Sequence, residues 1–283
     1  DVHEQWDKDD AKALESLGLD LVLFVGDFGN ESIPTVSAIA SLNIPKATVF
    51  GNHDCWYSGT SWGKKKRPND YKEGKVQQQI NILGEDNVSY GKKDFPELEL
   101  TVVGSRPFTW GGTEWKMKDF YQEQFGVSGF NESTDQILTS VKLARYNTII
   151  FLGHNGPQGL GNLPESICGK DWEPRGGDMG DPDFQEAIAQ TLSMGKNVPL
   201  VAFGHFHHHL KHTKERLREQ IVINEKTVYL NAARTPRIIQ NSPEKMRNFS
   251  LVSLQNGKVT KADLIWIGKD EKIISLESLY QRE

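Results

Sequence analysis

Four short apolar segments of this 283-residue chain share one design, and that design constrains the fold more than any other feature. Each is followed by a glycine, which allows a sharp turn, and then by a side chain that can bind a metal ion. The segments are residues 21–25, 47–50, 148–152 and 200–203. Near-continuous apolar runs are typical of strands that are buried on both faces of a sheet, and α/β proteins place their ligands at the carboxyl ends of such strands. The pattern therefore predicts an α/β fold in which neighbouring strands deliver polar side chains to one site.

The candidate metal ligands are carboxylate, amide and imidazole side chains, and most of them follow the four predicted strands. They are Asp1, His3, Asp27, Asn52, His154, His205 and His207. This number of oxygen and nitrogen donors exceeds the need of one zinc ion and is enough for two ions. A donor set without cysteine favours two divalent ions, with manganese as the first candidate and iron, zinc or magnesium as the alternatives. Two such ions hold a bridging hydroxide and clamp an in-line displacement.

Two residues at the second strand end, His53 and Asp54, are predicted to act on the substrate. Adjacent side chains of an extended segment point apart, so we expect His53 to face away from Asn52. His53 would then donate a proton to the leaving group, and Asp54 would orient its imidazole. The ions outweigh the carboxylates and the hydroxide in charge, which favours an anionic phosphoryl group. A hydrogen-bonded structural role is the usual alternative for a single histidine, but four strand ends of one design favour a shared site.

The composition argues against several functional classes. The formal net charge is -5, so electrostatics favour neither a nucleic-acid partner nor an anionic membrane surface. No apolar run approaches the roughly 18 residues of a membrane span, and no signal-peptide pattern opens the chain. The only cysteines are Cys55 and Cys168, which predicts a reducing, intracellular location. Because Cys55 follows the Asn-His-Asp turn, a redox effect on activity is one hypothesis, and a buried, inert thiol is the other.

Asp1 and His3 depart from the pattern because no strand precedes them in this sequence. The strand–glycine–ligand design predicts an apolar strand and a glycine directly upstream of Asp1, so we expect a processed, trimmed or incompletely represented amino terminus. An aspartate and a histidine two residues apart in an extended segment point the same way, so both can reach one ion.

Three long segments, near residues 55–69, 104–130 and 155–181, are expected to lie beside the site and to select the substrate. Aromatic residues of the second segment either line a substrate pocket or pack the segment onto the core. The basic run 64–67 is interpreted as a solvated loop rather than as a mobile loop at the site or a nuclear signal. Loop arginines are the candidates for bidentate phosphate contacts: Arg106, Arg175, Arg234 and Arg237.

Periodicity and turn residues predict the remaining elements. Apolar residues at helical spacing indicate helices over residues 7–17, 34–42, 72–83, 132–146 and 182–194. Antiparallel strands are expected over residues 221–223, 228–231, 249–254 and 258–267, with a hairpin turn at Asn256-Gly257. A further strand is predicted over residues 97–103, and the polar tail, residues 271–283, is predicted to be a weakly held helix.

The polar motifs occur in a specific order: Asp-Val-His, Gly-Asp, Gly-Asn-His-Asp, Gly-His and Gly-His-Phe-His. This ordered set spans residues 1–207 and resembles the five blocks of the calcineurin-like metallophosphoesterase superfamily. The resemblance implies a two-sheet mixed β-sandwich flanked by helices (αββα), with residues 1–283 as a single domain. It implies one ion at Asp1, His3 and His207, a second at Asn52, His154 and His205, a bridging Asp27, and leaving-group assistance by His53.

Two motifs differ from those of the protein Ser/Thr phosphatases in this superfamily. The turn after Asp27 lacks their Asp-Arg-Gly, and Asp54 follows Asn-His where they carry glutamate. Both differences disfavour the phosphoprotein branch. Stretches such as Gly-Asp-Phe-Gly-Asn-Glu and Cys-Gly-Lys-Asp-Trp are similar to an uncharacterised branch in cyanobacteria and plastids, so the cytoplasm or the plastid stroma is the expected location.

The expected function is hydrolysis of a small-molecule phosphomonoester or phosphodiester by a metal-dependent phosphoesterase. The alternatives are a non-catalytic binding scaffold with a phosphoesterase fold and a phosphoprotein phosphatase. Loss of His53 or of a metal ligand would favour the scaffold, and neither is lost here.

Overall fold

The computed structural model describes residues 1–241 and 244–282 of the chain. Within them are the helices α1 (Lys8–Ser16), α2 (Ile33–Ala40), α3 (Ser61–Lys65), α4 (Lys75–Leu83), α5 (Lys118–Phe125), α6 (Phe130–Lys142) and α7 (Pro182–Ser193). The strands are β1 (Val22–Phe24), β2 (Lys46–Thr48), β3 (Lys92–Phe95), β4 (Leu100–Gly104), β5 (Thr148–Leu152), β6 (Asn197–Phe203), β7 (Ile221–Asn224), β8 (Thr227–Asn231), β9 (Ile238–Asn241), β10 (Glu244–Gln255), β11 (Lys258–Ile267) and β12 (Ile273–Gln281). Each predicted helix except the tail is present, whereas α3 and α5 were not predicted. Among the described residues, no helix combines the length and the apolar character that crossing a membrane requires.

Six strands form the larger sheet, in the order β3-β4-β5-β6-β8-β7. Its four inner strands run parallel, and the edge strands β3 and β7 are antiparallel to their neighbours. The predicted strands at 148–152 and 200–203 are the adjacent strands β5 and β6. The predicted antiparallel pairing of β7 with β8 is present, but the two strands do not join the later antiparallel strands, because β8 pairs in parallel with β6. The long connection between β6 and β8 gives the chain the length that a parallel crossover needs.

The second layer of the sandwich contains two smaller sheets. One is antiparallel, in the order β12-β11-β10-β9, and the other is the parallel pair β1-β2. The apolar runs 21–25 and 47–50 form this pair, so the four predicted strands occur as two neighbouring pairs rather than as one continuous ladder. The predicted hairpin at Asn256-Gly257 connects β10 and β11, as expected.

The carboxyl-terminal tail forms strand β12 and not the predicted helix. It pairs antiparallel with β11, from Lys261 opposite Gln281 to Ile267 opposite Ile273. The tail adds its ladder hydrogen bonds to an edge of β11 that would otherwise be open, and its β-branched residues suit a strand. These contacts outweigh the weak helical preference of a polar segment.

Alternation along β5 shows where the core lies. Ile150 and Leu152 pack with Val49 of the second layer, whereas Ile149 and Phe151 pack against the outer helices, including Phe184 of α7. Such alternation is typical of a sheet that is covered on both faces, by another sheet on one side and by helices on the other. The chain is therefore a mixed β-sandwich of two layers flanked by helices, as the resemblance implied, although its second layer is divided into two sheets.

A cavity of about 600 Å³ lies between two open strand edges of the second layer. Within the described ranges, β1 pairs only with β2, and residues 248–255 of β10 pair only with β11. Apolar side chains of the larger sheet, such as Leu100 and Leu200, also line this cavity, and Asp1 borders it.

Candidate metal centre

The strand ends that carry the predicted ligands converge on one site. Asp27 follows β1, Asn52 follows β2, His154 follows β5 and His205 follows β6. The imidazole Nδ1 of His154 lies 2.8 Å from the carbonyl oxygen of Val25, so the end of β5 is tied directly to the end of β1. The carboxyl ends of the two parallel pairs therefore meet at the same edge of the sandwich, where ligands bind in α/β folds.

The glycines before the ligands are required by close packing. A Cβ atom at Gly51 would lie 2.2 Å from Asp27 Oδ1, and one at Gly204 would lie 2.3 Å from Asp1 Oδ1. Gly51 has a φ of -97°, which any residue adopts, so a sharp turn is not the reason for this glycine. The left-handed backbone occurs at Gly26 (φ 92°) and at three of the candidate ligands, His3 (φ 47°), Asp27 (φ 49°) and His205 (φ 67°). Uncommon backbone conformations of non-glycine residues are often found at functional sites.

Asp1, His3 and His207 form the first ligand group. The Nε2 atoms of His3 and His207 are 3.0 Å apart, and Asp1 Oδ2 lies 3.2 Å from His207 Nε2 and 3.8 Å from His3 Nε2. The two oxygens of Asp1 also accept the backbone N–H of His205 at 3.1 Å, which fixes the carboxylate. Donors held about 2.0–2.2 Å from one ion lie roughly 3–3.6 Å from each other, so two of the three distances fit a shared ion and the third is slightly longer.

Asn52, His154 and His205 form the second ligand group. His154 Nε2 lies 3.0 Å from Asn52 Oδ1 and 3.1 Å from His205 Nδ1. Because Val25 accepts a hydrogen bond from His154 Nδ1, the Nε2 atom of the neutral ring keeps its lone pair. A hydrogen bond of this kind orients a metal-binding histidine and selects its tautomer.

Asp27 lies between the two ligand groups and faces both. Its Oδ2 atom is 3.5 Å from His3 Nε2 in the first group, and its Oδ1 atom is 3.4 Å from His154 Nε2 in the second. The backbone N–H of His53 donates to Oδ1 at 2.9 Å and holds the carboxylate in this orientation. One carboxylate with an oxygen directed at each group is the arrangement that a bridging ligand requires.

Burial sets the protonation state of these side chains. Desolvation lowers the pKa of His3, His154 and His205, and it lowers the pKa of His207 to about 4. Burial alone would raise the pKa of Asp27, but the surrounding imidazoles, His154 above all, hold it below its usual value. Neutral imidazoles and an ionised carboxylate are the metal-binding forms of these side chains, so the donor set fits divalent ions.

A family profile described as calcineurin-like phosphoesterase matches residues 1–209, about three-quarters of the chain. The chain belongs to the calcineurin-like phosphoesterase family. The match includes all seven predicted ligands, and the family identification made from the sequence motifs is confirmed. The closer similarity to a cyanobacterial and plastid branch stays a prediction.

Solved structures resemble this calcineurin-like phosphoesterase at low sequence identity. TT1561 of Thermus thermophilus is 12% identical, with 95% of this chain and 91% of that chain covered and a TM-score of 0.46. A proposed 5'-nucleotidase from Staphylococcus aureus, solved in complex with alpha-ketoglutarate, is 14% identical. That comparison covers 96% of this chain and 48% of the nucleotidase, with a TM-score of 0.44. No curated protein sequence is significantly similar to the chain.

His53 occupies one side of the candidate metal centre. Its ring packs edge-on against His3 at 4.8 Å between centroids and stacks on Trp56 at 4.4 Å. Its Nδ1 atom lies 2.6 Å from Asn30 Oδ1. Desolvation, together with the neighbouring imidazoles, lowers the pKa of His53 to about 4, although Asp27 opposes the shift. The sequence analysis missed Asn30, although its place in the turn after Asp27 was a signal that could have revealed it.

Asp54 does not orient His53, and the structure corrects that prediction. Residues Asn52–Cys55 form one turn of 3₁₀ helix rather than an extended segment, which turns Asp54 into the interior. Its carboxylate accepts backbone N–H groups of Phe28 at 2.8 Å and Gly51 at 2.7 Å. Asp54 thus stabilises the two ligand-bearing turns, while burial and the nearby Asp27 raise its pKa well above the usual value.

Two of the predicted phosphate-binding arginines are buried in ion pairs with aspartates that are not candidate ligands. Arg106 donates to Asp181 at 2.8 Å and to Asp183 at 2.9 Å, and its side chain is 3% exposed. Arg237 donates to Asp10 at 2.7 Å and is also buried. A guanidinium that is already paired with carboxylates in the interior is not available to a substrate phosphate. Both predictions are therefore corrected, and the two arginines hold loop and helix segments in place instead.

The other two arginines differ from these and from each other, because Arg175 has an ion-pair partner and two guanidinium nitrogens of Arg234 have no hydrogen-bond partner among the described residues. Arg175 is exposed and pairs with its near neighbour Glu173 at 2.8 Å. Arg234 lies over the ring of Trp266, 5.6 Å from its centroid, and borders the cavity between the sheets. A phosphate contact by Arg175 or Arg234 stays a prediction.

Cys55 is buried, with 1% of its surface exposed. Burial raises the pKa of its thiol well above the usual value, so the reactive thiolate is scarce at neutral pH. This favours the inert-thiol interpretation over a redox effect.

Proposed function

We propose that this calcineurin-like phosphoesterase hydrolyses a small-molecule phosphomonoester or phosphodiester with two divalent ions, manganese first among them. The observation that carries the proposal is the orientation of Asp27, whose two carboxylate oxygens lie 3.5 and 3.4 Å from imidazoles of the first and second ligand groups. Divalent ions held there would lower the pKa of a bound water and neutralise phosphoryl charge. The residues that would hold them are the seven predicted ligands.

The protein side chains around these ligands position and protonate the ester. Asn30 accepts a hydrogen bond from His53 Nδ1 and so fixes the plane of the ring. Among the described residues no group bonds to His53 Nε2, so this atom is available to the leaving oxygen. An incoming phosphoryl anion opposes the desolvation that lowers the pKa of His53, because a nearby negative charge stabilises the imidazolium. His53 can then donate its Nε2 proton as the ester bond breaks.

Turnover of an aryl phosphomonoester and a bis-aryl phosphodiester with Mn²⁺ tests the proposal. We expect hydrolysis of at least one ester and about two bound ions per chain. Asp27→Ala should abolish both hydrolysis and metal binding, because it removes the carboxylate that faces the two ligand groups. Asp20→Ala removes an exposed carboxylate before β1 and serves as the matched control.

Each outcome of this assay separates the candidate functions. Hydrolysis that is lost in Asp27→Ala and retained in Asp20→Ala supports the phosphoesterase and identifies the preferred ester class. Two bound ions without hydrolysis of any ester would favour the non-catalytic scaffold. Equal activity in Asp27→Ala and the parent protein would contradict the proposed site.

A further inference from the structure

Three tryptophans extend outward from His53. Trp56 stacks on the His53 ring at 4.4 Å, with 12° between the ring planes. Trp110, from the segment after β4, stacks on Trp56 at 5.6 Å, and Trp62 of α3 meets Trp56 edge-on at 5.4 Å. The aromatic cluster therefore begins one ring away from the side chain that faces the leaving group.

These tryptophans line a pocket of about 450 Å³ beside the metal centre. Its lining consists of Trp56, Thr60, Trp62, Trp110, Lys116 and Met117. The volume lies within the range of small-molecule sites, and the walls combine aromatic faces with one lysine. Trp62 is 55% exposed, so a large indole is kept at the pocket mouth instead of being packed into the core. This exposure distinguishes the cluster from tryptophans that only attach a loop to the fold.

The pocket walls are held by specific local contacts. Thr60 Oγ1 accepts the backbone N–H of Gly63 at 2.9 Å and caps the short helix that carries Trp62. A Cβ at Gly63 would lie 1.9 Å from the carbonyl oxygen of Trp56, so only glycine allows this approach. Buried Glu31 accepts the backbone N–H of Tyr57 at 2.8 Å and the hydroxyl of Tyr71 at 2.6 Å, which braces the same segment.

We propose that this pocket, which we call the tryptophan pocket, binds a planar aromatic group of the substrate. The inference rests on the proposed function, because the phosphoryl group of the same molecule would lie at Asp27. Indole faces stack on flat π-systems, and this interaction is insensitive to the identity of the ring. Lys116 adds a positive charge that favours an anionic ester. Two substrate types share this chemistry, namely a nucleotide with its base in the pocket and an ester of an aromatic alcohol.

Matched pairs of esters test the proposal, because both members of each pair release a primary alcohol and differ mainly in the aromatic ring. Adenosine 5'-monophosphate is compared with ribose 5-phosphate, and benzyl phosphate with cyclohexylmethyl phosphate. We expect kcat/KM to be about tenfold or more higher for at least one aromatic member, as for loss of one stacked base. The pair that shows the larger ratio distinguishes a nucleotide from an aryl ester. If the protein prefers diesters, the methyl diesters of the same compounds replace the monoesters.

Variants at the pocket identify the residues responsible. Trp110→Ala should reduce the aromatic-to-aliphatic ratio towards one, and Trp110→Phe should retain most of it because an aromatic face remains. Trp266→Phe changes a tryptophan of β11 outside the pocket lining and is the control, with an unchanged ratio expected. A ratio near one in the parent protein, a ratio unaffected by Trp110→Ala, or a preference for a sugar phosphate would each overturn the proposal.

Binding without turnover separates this inference from the proposed function. Tryptophan fluorescence is titrated with adenosine 5'-monophosphate and benzyl phosphate in the presence of EDTA, with ribose 5-phosphate as the comparison. One outcome is quenching by an aromatic ester that weakens in Trp110→Ala, together with no hydrolysis of any ester. This outcome would support binding at the tryptophan pocket and refute the phosphoesterase activity. Hydrolysis of all four esters at equal kcat/KM would support the phosphoesterase activity and refute aromatic binding at the tryptophan pocket.

Discussion

The two ligand groups of the candidate metal centre are built differently. The second group, Asn52, His154 and His205, comes entirely from strand ends, and the side chain of His154 is fully buried. The first group draws on residues that precede α1 and on His207, whose side chain is 38% exposed. The second group is therefore held by the sheets themselves, whereas the first depends on a segment outside them.

The surroundings of the second ligand group are also more tightly packed than those of the first. His154 is fixed by the carbonyl oxygen of Val25, within hydrogen-bond distance at the end of β1. Asp1 is fixed by the backbone N–H of His205 but borders the cavity of about 600 Å³ between β1 and β10. A ligand group held by packed strands is better preorganised than one beside a void, because less conformational freedom is lost on binding. We therefore expect the second group to bind its ion more tightly.

The largest effect is expected from His154→Ala. This change removes a ligand of the second group and leaves the Val25 carbonyl without its partner, so kcat/KM should fall on the order of 10³-fold. The cavity left by the imidazole should also lower the free energy of unfolding by about 2 kcal/mol. Steady-state kinetics and denaturant unfolding measure the two effects. Exposed His209→Ala is the control, and equal kinetics for the two variants would refute the role of His154.

A smaller effect, the loss of one of the two bound ions, is expected from His207→Ala. The first group loses one of three ligands at a half-buried position, so bound metal should fall from about two ions per chain to about one, with little change in unfolding free energy. Metal analysis after gel filtration measures the ratio. Loss of both ions in His207→Ala, with both retained in His154→Ala, would reverse the proposed order of affinity.

Filling the cavity between β1 and β10 should strengthen the first group. An added segment of about five apolar residues ending in glycine, joined before Asp1, can pair with the open edges of both strands. Burying several apolar side chains there should raise Tm by about 5 °C and tighten the weaker ion. A Gly-Ser extension of equal length is the control. The same Tm for both extensions would show that the cavity does not accept a strand.

The smallest effect is expected from Asp7→Asn, which loosens the helix that follows the first group. Asp7 caps α1 through the backbone N–H of Asp9 at 2.8 Å and accepts Arg247 of β10 at 2.9 Å. Asparagine can still cap the helix, so the expected loss of about 1 kcal/mol of unfolding free energy at pH 7 comes from the ion pairs with Lys245 and Arg247. Partial burial opposes the charged carboxylate, but hydrogen bonds from Lys245 and Arg247 hold the pKa of Asp7 well below 3.8.

The pH dependence of this effect follows from the direction of the shift. A carboxylate with a depressed pKa stabilises the fold above its ordinary pKa of 3.8, and this contribution is lost as the pH falls towards the folded value. The difference in Tm between the parent protein and Asp7→Asn should thus be largest near pH 7 and shrink below about pH 4. Asp20→Asn is the matched control at an exposed carboxylate. A difference that grows towards low pH would contradict the assigned contacts.

Prediction from the sequence succeeded where a short local pattern decided the structure. The runs before Gly153 and Gly204 form β5 and β6, and helices α1, α2, α4, α6 and α7 lie within or overlap the predicted ranges. Prediction failed for the tail, because β12 depends on an edge of β11 rather than on its own periodicity. It failed for Arg106 because the partners Asp181 and Asp183 are more than 70 residues away in the sequence.

By itself the sequence determined the family, the ligand types and their position at strand ends, because each of these is encoded within a few consecutive residues. Only the tertiary structure decided which oxygen of Asp27 faces which ligand group, and that Asn30 rather than Asp54 contacts His53. It also brought Trp56, Trp62 and Trp110 together around one pocket. The physical reason is that these features depend on distances between side chains from separate segments, which local backbone preferences do not specify.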